Sequence, residues 1–237
     1  NFPEALAHMA RVLELGGDVD FTALTSRTGD LPAAQRAGIR RQIISLRDSY
    51  PDEASLQYAL IQLLSQDGAT EEALAELEKQ KERFGESAQL TLVRAQLLQE
   101  MGEEEAVLET LRTGVERFPI SRLLRYSYAQ LLVQTDQLDA AREQFRILVE
   151  QQPEDYETLY SLALLNMEME ALDEARRIFS RMLDVGYRNN DSRFFMGFIH
   201  EKEGEINAAI GQYRLVQMDS PNYLNAQRQV IRLLVSQ

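Results

Sequence analysis

The chain has 237 residues, of which 44% are hydrophobic and 27% are charged, so it is long and apolar enough to bury a large core. Its formal net charge of −13 disfavours nucleic acid and anionic membrane surfaces as partners, because both are bound through positive charge. The lack of cysteine excludes disulfides, thiolate nucleophiles and Cys-type zinc sites, and no apolar run approaches the ~20 residues that span a bilayer.

Residues that stop helices recur at a fixed spacing along the chain. Proline lacks the backbone N–H and clashes with the preceding turn, and glycine adopts the left-handed conformation at low cost. The one exception in the series, Tyr187, directly follows Gly186. A long fixed period of this kind predicts an array of structural repeats. The positions, spaced 34 apart, are Gly17, Pro51, Gly85, Pro119, Pro153, Tyr187 and Pro221.

The first 53 residues fit this period less well than the rest. Residues 1–19 are predicted to form a trailing half-repeat with one helix. Residues 20–53 are predicted to form an atypical repeat, because Arg27 stands where a small residue belongs and Pro32 interrupts the pattern. We expect a short first helix there and a longer second helix from about Ala33 to Ser49.

Regular repeats follow, each predicted to hold two antiparallel helices, with bounds 54–87, 88–121, 122–155, 156–189 and 190–223. Small residues dominate two columns of the register, as the close approach of two helices requires. Large residues form a third column, one turn after the second and on the same helix face. The first column is Ile61, Ala95, Ala129, Ala163 and Gly197, the second is Ala73, Val107, Ala141, Ala175 and Ala209, and the third is Leu77, Leu111, Phe145, Phe179 and Tyr213.

The turns inside the repeats and the end of the chain complete the pattern. Residues 224–237 are predicted to form a leading half-repeat. Because the chain begins with Asn1 rather than methionine, and starts and stops within a repeat, we expect it to be a fragment of a longer array. The turn between the two helices of a repeat carries glycine or an acidic residue, at Gly68, Gly102, Asp136, Glu170 and Gly204.

The period, the two small columns, the large column and the closing proline resemble the tetratricopeptide repeat (TPR) superfamily. The resemblance covers the five regular repeats, although none has the tryptophan often seen early in the first helix. It implies an all-α fold, a right-handed TPR superhelix (an α-solenoid) of antiparallel helix pairs, as a single solenoid over residues 1–237. It also implies a non-enzymatic chain that binds another protein or a peptide in a concave groove lined by the first helix, helix A, of each repeat.

Carried over onto this sequence, the family's usual binding positions hold aromatic and amide residues. The fifth and ninth positions of a repeat lie one turn apart and form neighbouring rows on helix A. Burying one such aromatic side chain is worth roughly 1.5–3 kcal/mol, so these rows can carry an interface. The alternative is that the apolar members, Leu92 and Phe195 above all, only pack between helices. The predicted groove residues are Tyr58, Gln62, Gln96, Tyr126, Gln130, Tyr160, Leu164, Met167, Phe194 and Phe198.

In the last half-repeat the two rows end in two cations. No catalytic, cofactor or metal site is expected in this sequence. Arg228 and Arg232 fall in the same two columns and are expected to meet an acidic partner or a further repeat. The segment HEKEG at 200–204 lacks the second histidine of a zinc-binding helix. His200 is expected to be a packed, hydrogen-bonded histidine rather than a general base, because its column otherwise holds Leu64, Leu98, Leu132 and Asn166.

Functions of different classes follow from the resemblance. The general character of the chain is similar to bacterial outer-membrane TPR lipoproteins, among them an adaptor that activates a carboxyl-terminal processing protease. This implies a scaffold that recruits or activates an envelope protease, or assembles an envelope complex, in the bacterial periplasm. The alternative is a structural or self-associating module of a secretion or polysaccharide-export machine, which a defined oligomer in solution would favour. An enzyme whose catalytic domain lies outside this chain is a third hypothesis.

Overall fold

The computed structural model describes residues 2–25 and 27–236, apart from the side chain at position 3. Within these residues the chain is entirely helical, as predicted, and no strand is formed. The helices are α1 (Phe2–Glu14), α2 (Thr22–Thr25), α3 (Ala33–Ser49), α4 (Ala54–Gln66), α5 (Thr70–Phe84), α6 (Ala88–Glu100), α7 (Glu104–Arg117), α8 (Arg122–Gln134), α9 (Leu138–Gln151), α10 (Tyr156–Glu168), α11 (Leu172–Asp184), α12 (Asn189–Lys202), α13 (Ile206–Arg214) and α14 (Tyr223–Val235).

Short turns join these helices into antiparallel pairs, so that α4 packs on α5, α6 on α7, α10 on α11 and α12 on α13. The fold class, an α-solenoid of antiparallel helix pairs, is therefore confirmed. The atypical repeat also folds as predicted, with the short helix α2 followed by α3 at Ala33–Ser49. The predicted bounds of the individual repeats stay predictions, and Asn1, Ser26 and Gln237 lie outside the described residues.

The helix-stopping series lies between helices, which explains its spacing. Pro119 follows the end of α7 at Arg117, and Pro153 follows the end of α9 at Gln151. Gly85 closes α5 in the left-handed region, with φ of 84°. In the copy that ends with Tyr187, the left-handed residue is Gly186, one position earlier.

The turn inside each regular repeat also requires a left-handed residue. The φ values are 73° at Gly68, 76° at Gly102, 59° at Asp136, 57° at Glu170 and 80° at Gly204. Glycine adopts this conformation without a Cβ penalty, whereas other residues lose roughly 1–2 kcal/mol there. The turns at Asp136 and Glu170 are therefore strained. The glycine and acidic residues of this sequence column share one role, which is to adopt the left-handed backbone conformation that the turn requires.

Replacing Glu170 with glycine should raise the free energy of unfolding by about 0.5–1 kcal/mol, because relief of the left-handed strain exceeds the added entropy of the unfolded chain. The same change at Glu143, an exposed position inside α9, should lower it by about 1 kcal/mol, because glycine is a poor helix former. Urea titration followed by circular dichroism measures both. Two losses of equal size would show that the turn at Glu170 carries no strain.

All three sequence columns are buried, as the register predicts. Close helix packing needs small residues in two of them, and large residues of the third fill the space between helices. Ala129, Ala163, Ala141 and Ala175 are each 0% exposed, and Phe179 and Tyr213 are also 0% exposed.

The chain divides into two compact units, Asn1–Leu124 and Arg125–Gln237. The first unit has one continuous apolar cluster that runs from α1 to α6 and includes Phe21, Ile43, Leu56 and Leu77. The second unit has one cluster between α10, α11 and α12, built around Phe179, and another between α13 and α14, built around Tyr213. None of the described helices is both long and apolar enough to cross a membrane.

Candidate functional site: the helix A face

In the first unit, the predicted groove residues lie on α4 and α6 and differ in how far they are engaged. Tyr58 is half-buried, and its hydroxyl lies 3.0 Å from the hydroxyl of Ser87. Burial raises the pKa of the Tyr58 phenol, although the Ser87 hydrogen bond opposes this. Gln96 is exposed, and its amide donates to Glu100 at 3.2 Å. The first unit therefore offers one neutral phenol and one exposed amide on this face.

The side chain of Gln62 already accepts a hydrogen bond from another part of the chain. Its Oε1 accepts a hydrogen bond of 2.5 Å from the hydroxyl of Thr25, at the end of α2. One turn later, Gln66 accepts from Thr28 at 2.6 Å and donates to the carbonyl of Thr25 at 3.0 Å. Thr25 and Thr28 are both fully buried. The atypical repeat thus forms a hydrogen bond with the side-chain amide of Gln62, which the repeat register assigns to the groove.

In the second unit, the first row consists of Tyr126 on α8, Tyr160 on α10 and Phe194 on α12, all half-buried. The hydroxyl of Tyr126 lies 3.2 Å from that of Ser161, which ties α8 to α10. The inner edge of each ring packs on the large column: Tyr126 meets Phe145 with centroids 5.7 Å apart. Each ring is only half-buried, so part of its surface remains exposed.

The second row, one turn on, holds Gln130, Leu164 and Phe198. Gln130 is exposed, whereas Leu164 and Phe198 are half-buried. Leu164 and Met167 both pack against the cluster around Phe179. The ammonium nitrogen of Lys202 lies 5.4 Å from the ring centroid of Phe198, within the range of a cation–π contact.

Phe195 belongs to the core beneath this face, as the packing alternative predicted for it. Its ring stacks on Phe179 with centroids 5.3 Å apart and an interplanar angle of 13°. It also meets Tyr160 at 6.4 Å and Phe194 at 5.6 Å. Phe195 therefore contacts both Tyr160 on α10 and Phe194 on α12 and fixes the orientation of these two rings.

Arg188 covers one face of Tyr160, a contact that sequence reasoning missed. Its guanidinium carbon lies 4.6 Å from the ring centroid of Tyr160, and its Nη2 donates to Glu157 at 3.0 and 3.1 Å. Arg188 is left-handed, with φ of 46°, and this aims its side chain back toward α10. The hydrogen bond from Tyr187, at 2.5 Å, and the pairing with Arg188 hold the pKa of Glu157 below its ordinary value.

One of the two cations of the last half-repeat is engaged within the second unit. The guanidinium of Arg232 lies 2.5 Å from Oε1 of Glu201, on α12. Glu201 also accepts from the hydroxyl of the buried Tyr213 at 3.3 Å. Arg232 therefore meets an acid of its own chain, and its predicted contact with an acidic partner or a further repeat stays a prediction.

The tetratricopeptide repeat family model matches residues 92–156 and 126–191. Tetratricopeptide repeats are therefore shown over residues 92–191 of this chain. Among the solved structures, a fragment of MamA from Desulfovibrio magneticus RS-1 superposes with a TM-score of 0.56 at 17% identity, covering 78% of this TPR chain and 96% of that one.

Other solved TPR-like structures give the same result. PilF of Pseudomonas aeruginosa has a TM-score of 0.58 at 24% identity, covering 78% of this chain and 85% of that one. A chain of the APC/C hetero-tetramer Cut9–Hcn1 has a TM-score of 0.55 at 13% identity, covering 98% of this chain and 46% of that one. At these identities the likeness shows the fold alone. Among curated proteins, no sequence matches the TPR chain significantly.

His200 lies in the last turn of α12 and is partly buried rather than fully packed in the core. Its side chain is 17% exposed, and Nδ1 lies 2.6 Å from Oε2 of Glu205. The predicted hydrogen bond is confirmed, but the partner is a surface carboxylate. Ligand atoms of His200, Glu203 and Glu205 lie within 4.8 Å of one another, although Glu203 is ion-paired with Arg176.

Crevices between the second helices of neighbouring pairs are features that the register did not reveal. One of about 840 Å³ lies beside α3 and is lined by Phe2, Leu31 and Ile39 among others. One of about 430 Å³ lies in the second unit and includes Asn166, whose column holds leucine in three other repeats. The signal in the sequence was the break in that column, which by itself gave no position for a ligand.

Proposed function

We propose that this TPR chain is a non-enzymatic interaction scaffold that binds another protein or a peptide along its helix A faces. The observation that carries the proposal is the pair of rows on α8, α10 and α12 of the second unit. The first row consists of half-buried aromatic rings, and the second row, one turn on, consists of exposed or half-buried side chains. The TPR family generally supplies interaction modules without chemistry of their own.

The aromatic rings of the first row are already held in place by their neighbours. Tyr160 and Phe194 are fixed by Phe195, and Tyr126 by Phe145 and Ser161. A pre-ordered ring loses little rotamer entropy when a partner covers its outer edge, so more of the burial energy appears as affinity. Aromatic residues of this kind are the usual anchors of protein interfaces, and Gln96 and Gln130 add amide donors and acceptors for a peptide backbone.

The finer form of the proposal is an adaptor in a bacterial envelope, in the periplasm and anchored to the outer membrane through the full-length protein as a lipoprotein. There it would recruit or activate an envelope protease, or assemble an envelope complex, by raising the effective concentration of its partners. The general character of the acidic, cysteine-free array supports this form.

A structural or self-associating TPR module is the second candidate. Helix α14 exposes several apolar side chains more fully than any apolar groove residue: Leu224 is 67%, Ile231 63% and Leu234 46% exposed. Apolar patches of this kind often mark contacts with another chain. A defined oligomer by light scattering favours this candidate, and a monomer favours the adaptor.

The test compares a groove variant with a matched control. Gln130→Ala with Phe198→Ala removes one exposed and one half-buried residue of the second row. The rings of the first row are left intact because they also pack on Phe145, Phe195 and Tyr213. Proteins captured by the immobilised wild-type chain from soluble and envelope extracts of its source are identified, purified and titrated against each variant.

We expect the dissociation constant of the captured partner to rise at least about tenfold for the groove variant, since ~1.4 kcal/mol of lost contact gives that factor. The control, Glu143→Ala with Glu150→Ala on α9, should bind like the wild type. Equal affinity for all three proteins would place the partner on another surface and refute the groove. Identification of a protease or of a secretion component among the partners decides between the two finer functions.

A further inference from the structure

One column of helix A carries leucine in three repeats, Asn166 in the fourth and His200 in the fifth. Leu64 is 4% exposed and Leu132 is 1% exposed, and Asn166 in the same column is 3% exposed. The Oδ1 of Asn166 is buried and has no hydrogen-bond partner among the residues that the structure describes. An unbonded amide at a buried position is destabilising. Asn166 therefore has a hydrogen-bonding capacity that its described neighbours do not fill.

Asn166 lines a crevice of about 430 Å³ that α9, α10 and α11 form within the second unit. Leu162 and Ile178 provide an apolar surface beside the amide. Leu162 is 6% exposed and Ile178 is half-buried, so this surface is set into the protein. The volume falls in the range of pockets that hold small molecules or short peptide segments.

Arginines from two helices line the same crevice as this amide, in a chain whose overall charge is −13. Each arginine pairs with an acid of its own helix, three residues earlier. Such exposed pairs are weak and exchange readily for a better ligand. The crevice therefore presents three guanidinium groups at its rim, with Glu174 as the one acid among its lining residues. The pairs are Arg142–Asp139 at 2.9 Å, Arg146–Glu143 at 3.9 Å and Arg177–Glu174 at 3.3 Å.

We propose that this crevice binds a carboxylate group carried next to an aliphatic group, as in an acidic peptide segment. Guanidinium groups form the strongest protein hydrogen bonds with carboxylates. Leu162 and Ile178 receive the aliphatic part, and Oδ1 of Asn166 accepts an N–H from the ligand. A peptide supplies all three features, whereas a free dicarboxylate lacks the N–H. The site uses α9 and α11 together with Leu162 and Asn166 of α10, and none of the predicted groove residues lines it.

The experiment follows the side-chain N–H signals of the ¹⁵N-labelled chain by NMR during titration. The probes are N-acetyl-leucyl-glutamate amide, its glutamine counterpart, glutarate and inorganic phosphate. We expect saturable shifts of the Asn166 amide and of the Nε–H of Arg142 and Arg177 with the glutamate peptide. The glutamine peptide should bind at least threefold more weakly, because it lacks the carboxylate charge.

Asn166→Leu is the decisive variant, since leucine already occupies this column at Leu64 and Leu132 and the variant should fold. It should weaken the glutamate peptide at least fivefold and leave glutarate less affected. Arg112 on α7 is the matched control, because it also pairs with acids of its own helix at Glu109 and Glu116. Its signal should not saturate, and Arg112→Gln should bind like the wild type.

The outcomes separate the sources of the ligand. Tighter binding of the glutamate peptide than of glutarate supports a peptide, and equal binding supports a free carboxylate at the same crevice. The proposal is overturned if phosphate binds more tightly than either probe, if Asn166→Leu binds the peptide as tightly as the wild type, or if Arg112 shows equal shifts. In each case the Asn166 amide is hydrogen-bonded by a buried water instead of a ligand. None of these results depends on whether the helix A face binds its partner.

Discussion

Replacing Phe179 with alanine is expected to lower the free energy of unfolding by about 3–5 kcal/mol, the usual loss when a buried phenylalanine is truncated. Phe179 is 0% exposed and supports the aromatic face from below. Its ring stacks on Phe195 at 5.3 Å and meets Tyr160 edge-on at 6.4 Å. Truncation leaves a cavity under both rings, which the surrounding helices fill only in part. Urea titration followed by circular dichroism measures the change.

Two further variants give this prediction its controls. Phe179→Leu should lose clearly less, because Leu77 and Leu111 occupy the same column in other repeats. Leu215→Ala should stay within about 0.5 kcal/mol, since Leu215 is 53% exposed. A loss below about 1 kcal/mol for Phe179→Ala would mean that the cluster around this ring contributes little to stability, against the packing described above.

Replacing Gly197 with alanine should lower the free energy of unfolding by about 1–2 kcal/mol, the net of two opposing effects. A Cβ at this position would lie 2.7 Å from Cδ1 and from Cε1 of Tyr213, which is itself 0% exposed and has little room to move. Overpacking of this kind costs about 1–3 kcal/mol, and the better helix propensity of alanine offsets up to about 1 kcal/mol. The balance is a net loss in urea titration.

Gly211 is the matched control for this variant. It lies in α13, and a Cβ added there would have nothing within 4 Å, so Gly211→Ala should gain about 0.5–1 kcal/mol from helix propensity alone. In a Tyr213→Leu background, Gly197→Ala should cost nothing, because the pair then matches Ala95 and Leu111. An equal loss in both backgrounds would show that the ring of Tyr213 is not the cause.

Both stability predictions concern positions that the sequence register assigns to the core by spacing alone. The small and large columns were predictable because burial on a helix depends on a local period, which the chain repeats every 34 residues. The turn residues were predictable in the same way, although their left-handed backbone became apparent only from the φ values of Asp136 and Glu170.

The candidate site was predictable only as a set of positions. The register placed Tyr126, Tyr160 and Phe194 in one row, and the structure gives each ring a half-buried place on helix A. The register did not predict the hydrogen bond from Thr25 to Gln62 or the contact of Arg188 with the ring of Tyr160. In each contact one side chain, Thr25 or Arg188, lies outside the columns, so a period cannot encode the contact.

By itself, the sequence determined the helix pairs, their joints and which residues lie inside, because each depends on neighbours within one or two turns of the same chain segment. Only the tertiary structure decided which polar side chains meet. Arg232 reaches Glu201 on another helix, and Asn166 shares a crevice with arginines of α9 and α11. Long polar side chains find partners by distance between separate helices, and that distance is set by packing rather than by the repeat.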